Sequence, residues 1–199
     1  MLSASHPTAA PDGLPDRRVA LARAGDEAAF GELVREHQNM IHALAYRMTG
    51  SAEDAADLAQ DTFVKAWQRL GTFRGDSSFG TWVHRIALNL CLNWRERTER
   101  SRHAHAGLEQ ESQMSPPSGY DLADREAERS RRVNEALQRL KPADRAAVVL
   151  TVFEGLNHAQ AARQLDCAET TVSWRVWLAR RQLRKWLSDL DSDSPEDSA

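Results

Sequence analysis

Apolar residues recur at helical spacing along most of this chain. In "AAFGELVREHQNMIHALAYRMTG" the repeating positions are Phe30, Leu33, Val34, Ile41, Leu44, Ala45 and Met48, with Gly50 placed as the C-cap. "SAEDAADLAQDTFVKAWQRL" opens with Ser51 three residues before Asp54, a relative of the capping box, and Gly71 closes it. Leu58, Phe63, Ala66 and Trp67 are expected on its buried side. "TWVHRIALNLCLNWRER" is helical again. No stretch alternates convincingly as a strand would, so the predicted fold class is all-α.

Breaks in the pattern divide the chain. Residues 1–16, rich in Pro, Ser and Ala, read as a disordered N-terminal tail. "GTFRGDSSFG" is a loop, with three glycines and two serines. Residues 101–127 read as a flexible linker; periodicity is lost across Pro116, Pro117 and Gly119 and returns from about Ala123. Pro142 and Gly155 punctuate the second helical block. The pattern predicts two small helical domains, 17–100 and 128–188, joined by that linker and followed by an acidic tail, 189–199.

The second domain ends in "LNHAQAARQLDCAETTVSWRVWLARRQLRKWL". Asn157 and Gln160 have N-cap and N3 spacing, and Ala161, Ala162 and Leu165 give the short helix a small apolar face. The chain breaks at Asp166–Cys167. In the longer helix, Val172, Val176, Ala179, Leu183 and Leu187 form the buried stripe. Thr171, Arg175, Arg181 and Lys185 fall away from it, with Arg180 and Arg184 on a flank. Two helices, a tight turn and a basic outer face make a helix-turn-helix, whose second helix can enter the major groove. An amphipathic hairpin with a solvated basic face gives the same pattern.

Charge sharpens the picture. The formal net charge is -3, but Arg129 to Leu187 holds twelve Arg or Lys against five acids (12 − 5 = +7). Ser188 to Ala199 carries five acids and no base. The local field decides what a surface attracts. The two cysteines, Cys91 and Cys167, lie in apolar helical patterns without metal-ligand spacing and read as buried free thiols in a reducing compartment. "MLSASHPTAAPDGLPDRR" has no apolar core of a signal peptide, and no run approaches the roughly 18 apolar residues of a membrane span. The expected location is cytoplasmic.

In the first domain, Asp54, Asp57 and Asp61 fall at i, i+3 and i+7 on one helix face, with Gln60 beside them. Such a face suits a basic partner helix; a plain solvated acidic face reads the same way. A metal site through Glu53, Asp54, Asp57 and Asp61 is disfavoured, because the nearby His lies in another helix and no Glu-x-x-His motif is present. No catalytic group, metal or cofactor is expected.

"DAADLAQDTFVKAW", "FRGDSSFGTWVHRIALNLCLNWRER" and "LKPADRAAVVLTVFEGLNHAQAARQLDCAETTVSWRVWLARRQL", in that order and spacing, resemble the bacterial extracytoplasmic-function (ECF) sigma factors of the sigma-70-like family. The resemblance spans about residues 20 to 190. It implies a non-enzymatic factor that binds core RNA polymerase and directs it to promoters for transcription initiation. It places Asp54, Asp57, Gln60, Asp61 and Lys65 against the clamp helices of the polymerase largest subunit. It assigns Phe73, Arg74, Asp76, Ser77, Ser78, Phe79, Trp82, Arg85, Asn89, Asn93, Arg95 and Arg97 to the minus-ten element, where a non-template base is flipped into a pocket. Stacking on an aromatic face is worth about 1–3 kcal/mol per base, and arginines track phosphate. Phe73, Phe79 and Trp82 are ambiguous between this role and a structural one; Trp82 fits structural duty equally well, since Trp82, Ile86 and Leu90 share helical spacing. The resemblance assigns Thr170, Thr171, Ser173, Trp174, Arg175 and Arg180 to the minus-thirty-five element.

The recognition helix departs from the family pattern. Thr170 stands where Gly is usual, Ser173 where Lys or Arg is, Trp174 where a small polar residue is, and Leu178 at a frequent basic position. Three readings follow: an unusual minus-thirty-five sequence, a protein partner for Trp174, Trp177 and Leu178, or a more deeply buried helix. The resemblance also implies an anti-sigma partner, and two tethered domains suit one that wedges between them. The acidic tail reads as a solubilising segment, or as one that folds back on the basic helix and competes with DNA. The rival functions are a stand-alone helix-turn-helix regulator, which has no use for a strand-melting loop, and a metal-dependent hydrolase, which lacks the ligands.

Overall fold

A computed structural model describes residues 16–104 and 122–188, except for the side chains of 95–97, 99–104 and 122–126. All regular structure among the described residues is helical. The order is α1 (Arg17–Arg23), α2 (Glu27–Thr49), α3 (Ala52–Arg69), a 3₁₀ turn (Leu70–Thr72), α4 (Phe79–Ala104), α5 (Leu122–Arg139), α6 (Pro142–Val148), a π-helical turn (Val149–Phe153), α7 (His158–Leu165) and α8 (Glu169–Trp186). The chain divides into two units after Cys91, inside α4.

Helix extends into the expected linker at both ends, and the start of α5 agrees with the return of periodicity near Ala123. α4 runs on to Ala104, because "TERSRHA" continues with helix-compatible residues and meets no Gly or Pro. α5 begins at Leu122, where "LADREAERS" is rich in strong helix formers. Asp16, expected in the tail, instead caps α1 by accepting from Arg18 N–H at 2.9 Å. The remainder of the tail, residues 105–121 of the linker and the acidic tail 189–199 lie outside the described residues.

In the first unit α2 and α3 form an antiparallel pair. Gly50 takes φ 78°, a left-handed conformation free of Cβ strain only for glycine, and its N–H donates to Tyr46 O at 2.8 Å. Ser51 then caps α3, its hydroxyl accepting from Asp54 N–H at 3.2 Å. The core is built from Leu33, Ile41, Leu44 and Met48 of α2, Ala55, Leu58, Phe63 and Ala66 of α3, and Val83, Ala87, Leu88 and Cys91 of α4. Burial pushes the Cys91 thiol up to about 12, which keeps it un-ionised and unreactive. Arg18 joins α1 to α2 by bridging Asp16 (2.7 Å) and Glu36 (2.6 Å). The Arg18 guanidinium holds the Asp16 carboxyl below its ordinary value. Gly80 lets α4 approach α2 closely: a Cβ there would meet the His37 ring at 3.1 Å.

In the second unit Leu137, Leu140, Val148 and Ala179 form a core over which Val133, Phe153, Leu183 and Trp186 close. Arg145 is fully buried in it. Its guanidinium donates to Leu137 O (2.7 Å), Gln138 O (2.6 Å) and Leu140 O (3.2 Å) at the end of α5, where Leu137 O also accepts from Leu140 N–H at 3.1 Å. Arg145 is therefore one of the twelve bases counted in this region that no nucleic acid can reach.

Candidate polymerase and nucleic-acid interfaces

On α3 the acidic face forms as expected. Asp57, Gln60 and Asp61 are exposed, while Asp54 and Lys65 are half-buried. Among the described residues none of the three carboxylates is engaged in an ion pair, so their charge is available to a partner. Leu58, Phe63 and Ala66 point inward. Trp67 does not: it is 37% exposed, correcting its placement in the core. On the helical wheel Trp67 shares an arc with Gln60 and Val64, and its ring packs on Phe30 of α2 at 4.9 Å. Phe30, Val34, Phe63, Val64 and Trp67 line an open apolar groove of about 500 Å³, and Gln60 joins this groove to the acidic face. Reading the sequence helix by helix missed this groove, because it needs both α2 and α3.

The loop before α4 separates its polar and aromatic residues. Gly75 turns the chain at φ 82°. Arg74, Asp76, Ser77 and Ser78 are exposed. Ser78 also caps α4, accepting from Thr81 N–H at 3.2 Å. Phe73 and Phe79, ambiguous in the sequence between base contact and structural duty, are 8% and 5% exposed, which leaves little ring surface for a base to stack on. They sit edge-on to each other at 6.3 Å, and Phe79 reaches Phe30 at 6.4 Å and His37 at 5.5 Å. These are core contacts that fix the loop. Trp82 packs on Phe73 (5.2 Å) and Phe79 (5.8 Å) yet stays half-exposed, so one part of its ring anchors the cluster and the rest faces outward. Arg85, Asn89 and Asn93, spaced at i, i+4 and i+8, are all exposed and continue one polar stripe along α4. Arg95 and Arg97 follow on α4, with side chains outside the described residues.

The helix-turn-helix is assembled by local hydrogen bonds. Asn157 Oδ1 accepts from Gln160 N–H and Gln160 Oε1 from Asn157 N–H, both at 2.9 Å, a complete capping box. Asp166 adopts the left-handed conformation, φ 50° and ψ 51°, and turns the chain into α8. Ser173 Oγ lies 2.8 Å from His158 Nδ1 of α7 and donates to Glu169 O at 3.1 Å. Ser173 thus fastens α8 to α7, a role its sequence position did not suggest. Val172, Val176 and Ala179 are buried.

Opposite that stripe the helix is open. Thr170 and Arg180 are exposed, and Thr171 and Arg175 are half-buried. Trp174 and Trp177 are 60% and 51% exposed. Their rings stack at 5.0 Å and 25°, and the Arg181 guanidinium lies 5.7 Å from the Trp177 centroid. Of the three explanations for the atypical recognition helix, deeper burial is removed by this geometry.

Two helical units with these surfaces match known sequence families. The sigma-70 region 2 profile matches residues 33–101, and the sigma-70 region 4 profile matches residues 130–183. The chain belongs to the ECF sigma factors. It is similar to the ECF RNA polymerase sigma factor SigM of Mycobacterium tuberculosis, 38% identical over 171 residues, 85% of this chain and 82% of that protein. It is also similar to the RNA polymerase sigma-H factor of Pseudomonas aeruginosa, 34% identical over 180 residues, 86% of this chain and 93% of that protein. The solved sigma factor RpoE of Bartonella quintana, in complex with the anti-sigma factor NepR, superposes with a TM-score of 0.64 at 26% identity, covering 80% of this chain and 96% of that one. This ECF sigma factor therefore binds core RNA polymerase and directs it to promoter DNA for initiation, and it is not an enzyme. No helix among its described residues is long and apolar enough to cross a membrane.

Proposed function

We propose that the sigma factor divides its work among three surfaces and acts in the cytoplasm. The α3 face, through Asp57, Gln60 and Asp61 with Asp54 and Lys65 at its edge, engages the basic clamp helices of the polymerase. The exposed loop residues Arg74, Asp76, Ser77 and Ser78, with Arg85, Asn89 and Asn93 of α4, hold the minus-ten strand once it is melted. Phe73 and Phe79 act through position, anchoring the loop, while Trp82 offers its outer surface to a base. Thr170, Thr171, Arg175 and Arg180 of α8 meet the minus-thirty-five duplex. An anti-sigma factor restrains the chain by covering one of these faces; the complex of RpoE with NepR supports that reading.

The observation that carries the proposal is that α3 exposes carboxylates engaged in no ion pair among the described residues, while Arg74 lies exposed ahead of α4 and Arg85 begins an exposed polar stripe along it. A protein partner and a nucleic acid can then be held at once, each by opposite charge. The test is strand opening. Core polymerase with this chain, on duplexes enriched from a randomised library, is expected to make thymines near the start site reactive to permanganate. Arg85→Ala with Asn89→Ala should cut that reactivity at least about tenfold while the duplex stays bound. Unchanged reactivity would contradict the minus-ten assignment.

A further inference from the structure

The outermost line of α8 carries an indole where a DNA-reading helix commonly presents a polar group. Trp174 is the sixth residue of α8, near the end that approaches base edges. On the helical wheel it points almost directly away from Val172, Val176 and Ala179. Its position is fixed from behind: the ring stacks on Trp177, which in turn lies beneath Arg181. An apolar group held this way loses little freedom on binding.

The surroundings choose the partner. Arg180, Arg181, Arg184 and Lys185 are exposed along the same helix, and its one acid, Glu169, is at the first position. Indoles and arginines also occur at protein contacts, but four exposed cations along one helix with no acid beyond Glu169 match a polyanion. A duplex offers phosphates to the cations and base edges to the indole. In the major groove, the one apolar feature on any base edge is the C5-methyl of thymine. We infer that Trp174, supported by Trp177 and Arg181, reads thymine methyl groups in the minus-thirty-five element and sets this sigma factor's upstream specificity.

This inference rests on the assignment of α8 to the minus-thirty-five duplex, and one experiment separates the two. Holoenzyme assembled from core polymerase and the full chain is used to enrich duplexes from a randomised library, with core polymerase alone as control. Each upstream thymine of the enriched element is then replaced by deoxyuridine, which removes the methyl group and nothing else. Wild type is expected to lose about fourfold in affinity for the methyl that Trp174 meets. Trp174→Phe should retain part of that preference, and Trp174→Ala should bind thymine and uracil duplexes equally. A thymine-to-uracil ratio that is the same in wild type and Trp174→Ala overturns the inference and leaves the indole pair to a protein partner. Failure to enrich any upstream element overturns the minus-thirty-five assignment itself.

Discussion

Two aromatic clusters in this chain look alike in the sequence and behave in opposite ways. Phe73, Phe79 and Trp82 flank a polar loop ahead of α4; Trp174 and Trp177 stand in a polar stretch of α8. In the first cluster Phe79 meets Phe30 and His37 of α2, and the two phenylalanines become core while Trp82 stays half-exposed beside them. Among the described residues the second stacks on its own members and the Arg181 side chain of the same helix, and both rings stay exposed. A residue's type sets how much burial is worth to it, but burial itself depends on whether another element lies opposite. Phe73 and Phe79 are therefore buried, Phe79 against α2, and the pair that broke the family pattern on α8 is the more accessible one.

Substitutions in the two clusters should separate them sharply. The largest effect is expected from Phe79→Ala, which leaves a void among Phe30, His37, Phe73 and Trp82 and costs about 3–5 kcal/mol. Hydrogen exchange should report it as lost protection in α2 and α4, with α8 amides unchanged. A smaller effect comes from His37, which packs under the same ring. Burial lowers its proton affinity from the ordinary 6.5, and the Glu36 carboxylate only partly opposes this. The sign follows: below pH 6.5 the unfolded chain takes up a proton that the folded one refuses, so stability of the first unit falls with decreasing pH until the folded value is reached. The slope is at most about 1.4 kcal/mol per pH unit. Melting His37→Asn alongside wild type at pH 5 and 7 should show the wild-type dependence flattened. The smallest effect is expected from Trp174→Ala with Trp177→Ala. Both rings are exposed, so the change in stability should stay within about 0.5 kcal/mol by thermal melting, even as DNA binding weakens.

Much of this contrast was legible in the residues, and the part that was not has a common cause. Helices, caps and the turn into α8 depend on neighbours within a few positions, so Gly50, Ser51, Asn157 and Gln160 announced them. Pairings between distant elements left no local trace. Trp67 sits at helical spacing from Phe63 and read as core, yet α2 reaches only one side of it, through Phe30. Arg145 read as one more surface cation, whereas it is buried with its guanidinium on the carbonyls at the end of α5. Ser173 read as a DNA contact and is tied to His158, fifteen residues earlier. The acidic face of α3 was legible because one helix supplies all of it. What period alone could not reveal was the groove that Gln60 shares with it.

The claim that unites these surfaces is that α3 holds polymerase while α8 holds DNA. It is tested most directly by measuring capture of core RNA polymerase and of enriched promoter duplex side by side. The variants are Asp57→Arg with Asp61→Arg, and Arg175→Ala with Arg180→Ala. The first pair should lose polymerase at least about tenfold, because like charges then face each other across the contact. The second should keep polymerase and lose duplex from the assembled complex. Polymerase capture undiminished by charge reversal on α3 would contradict the account.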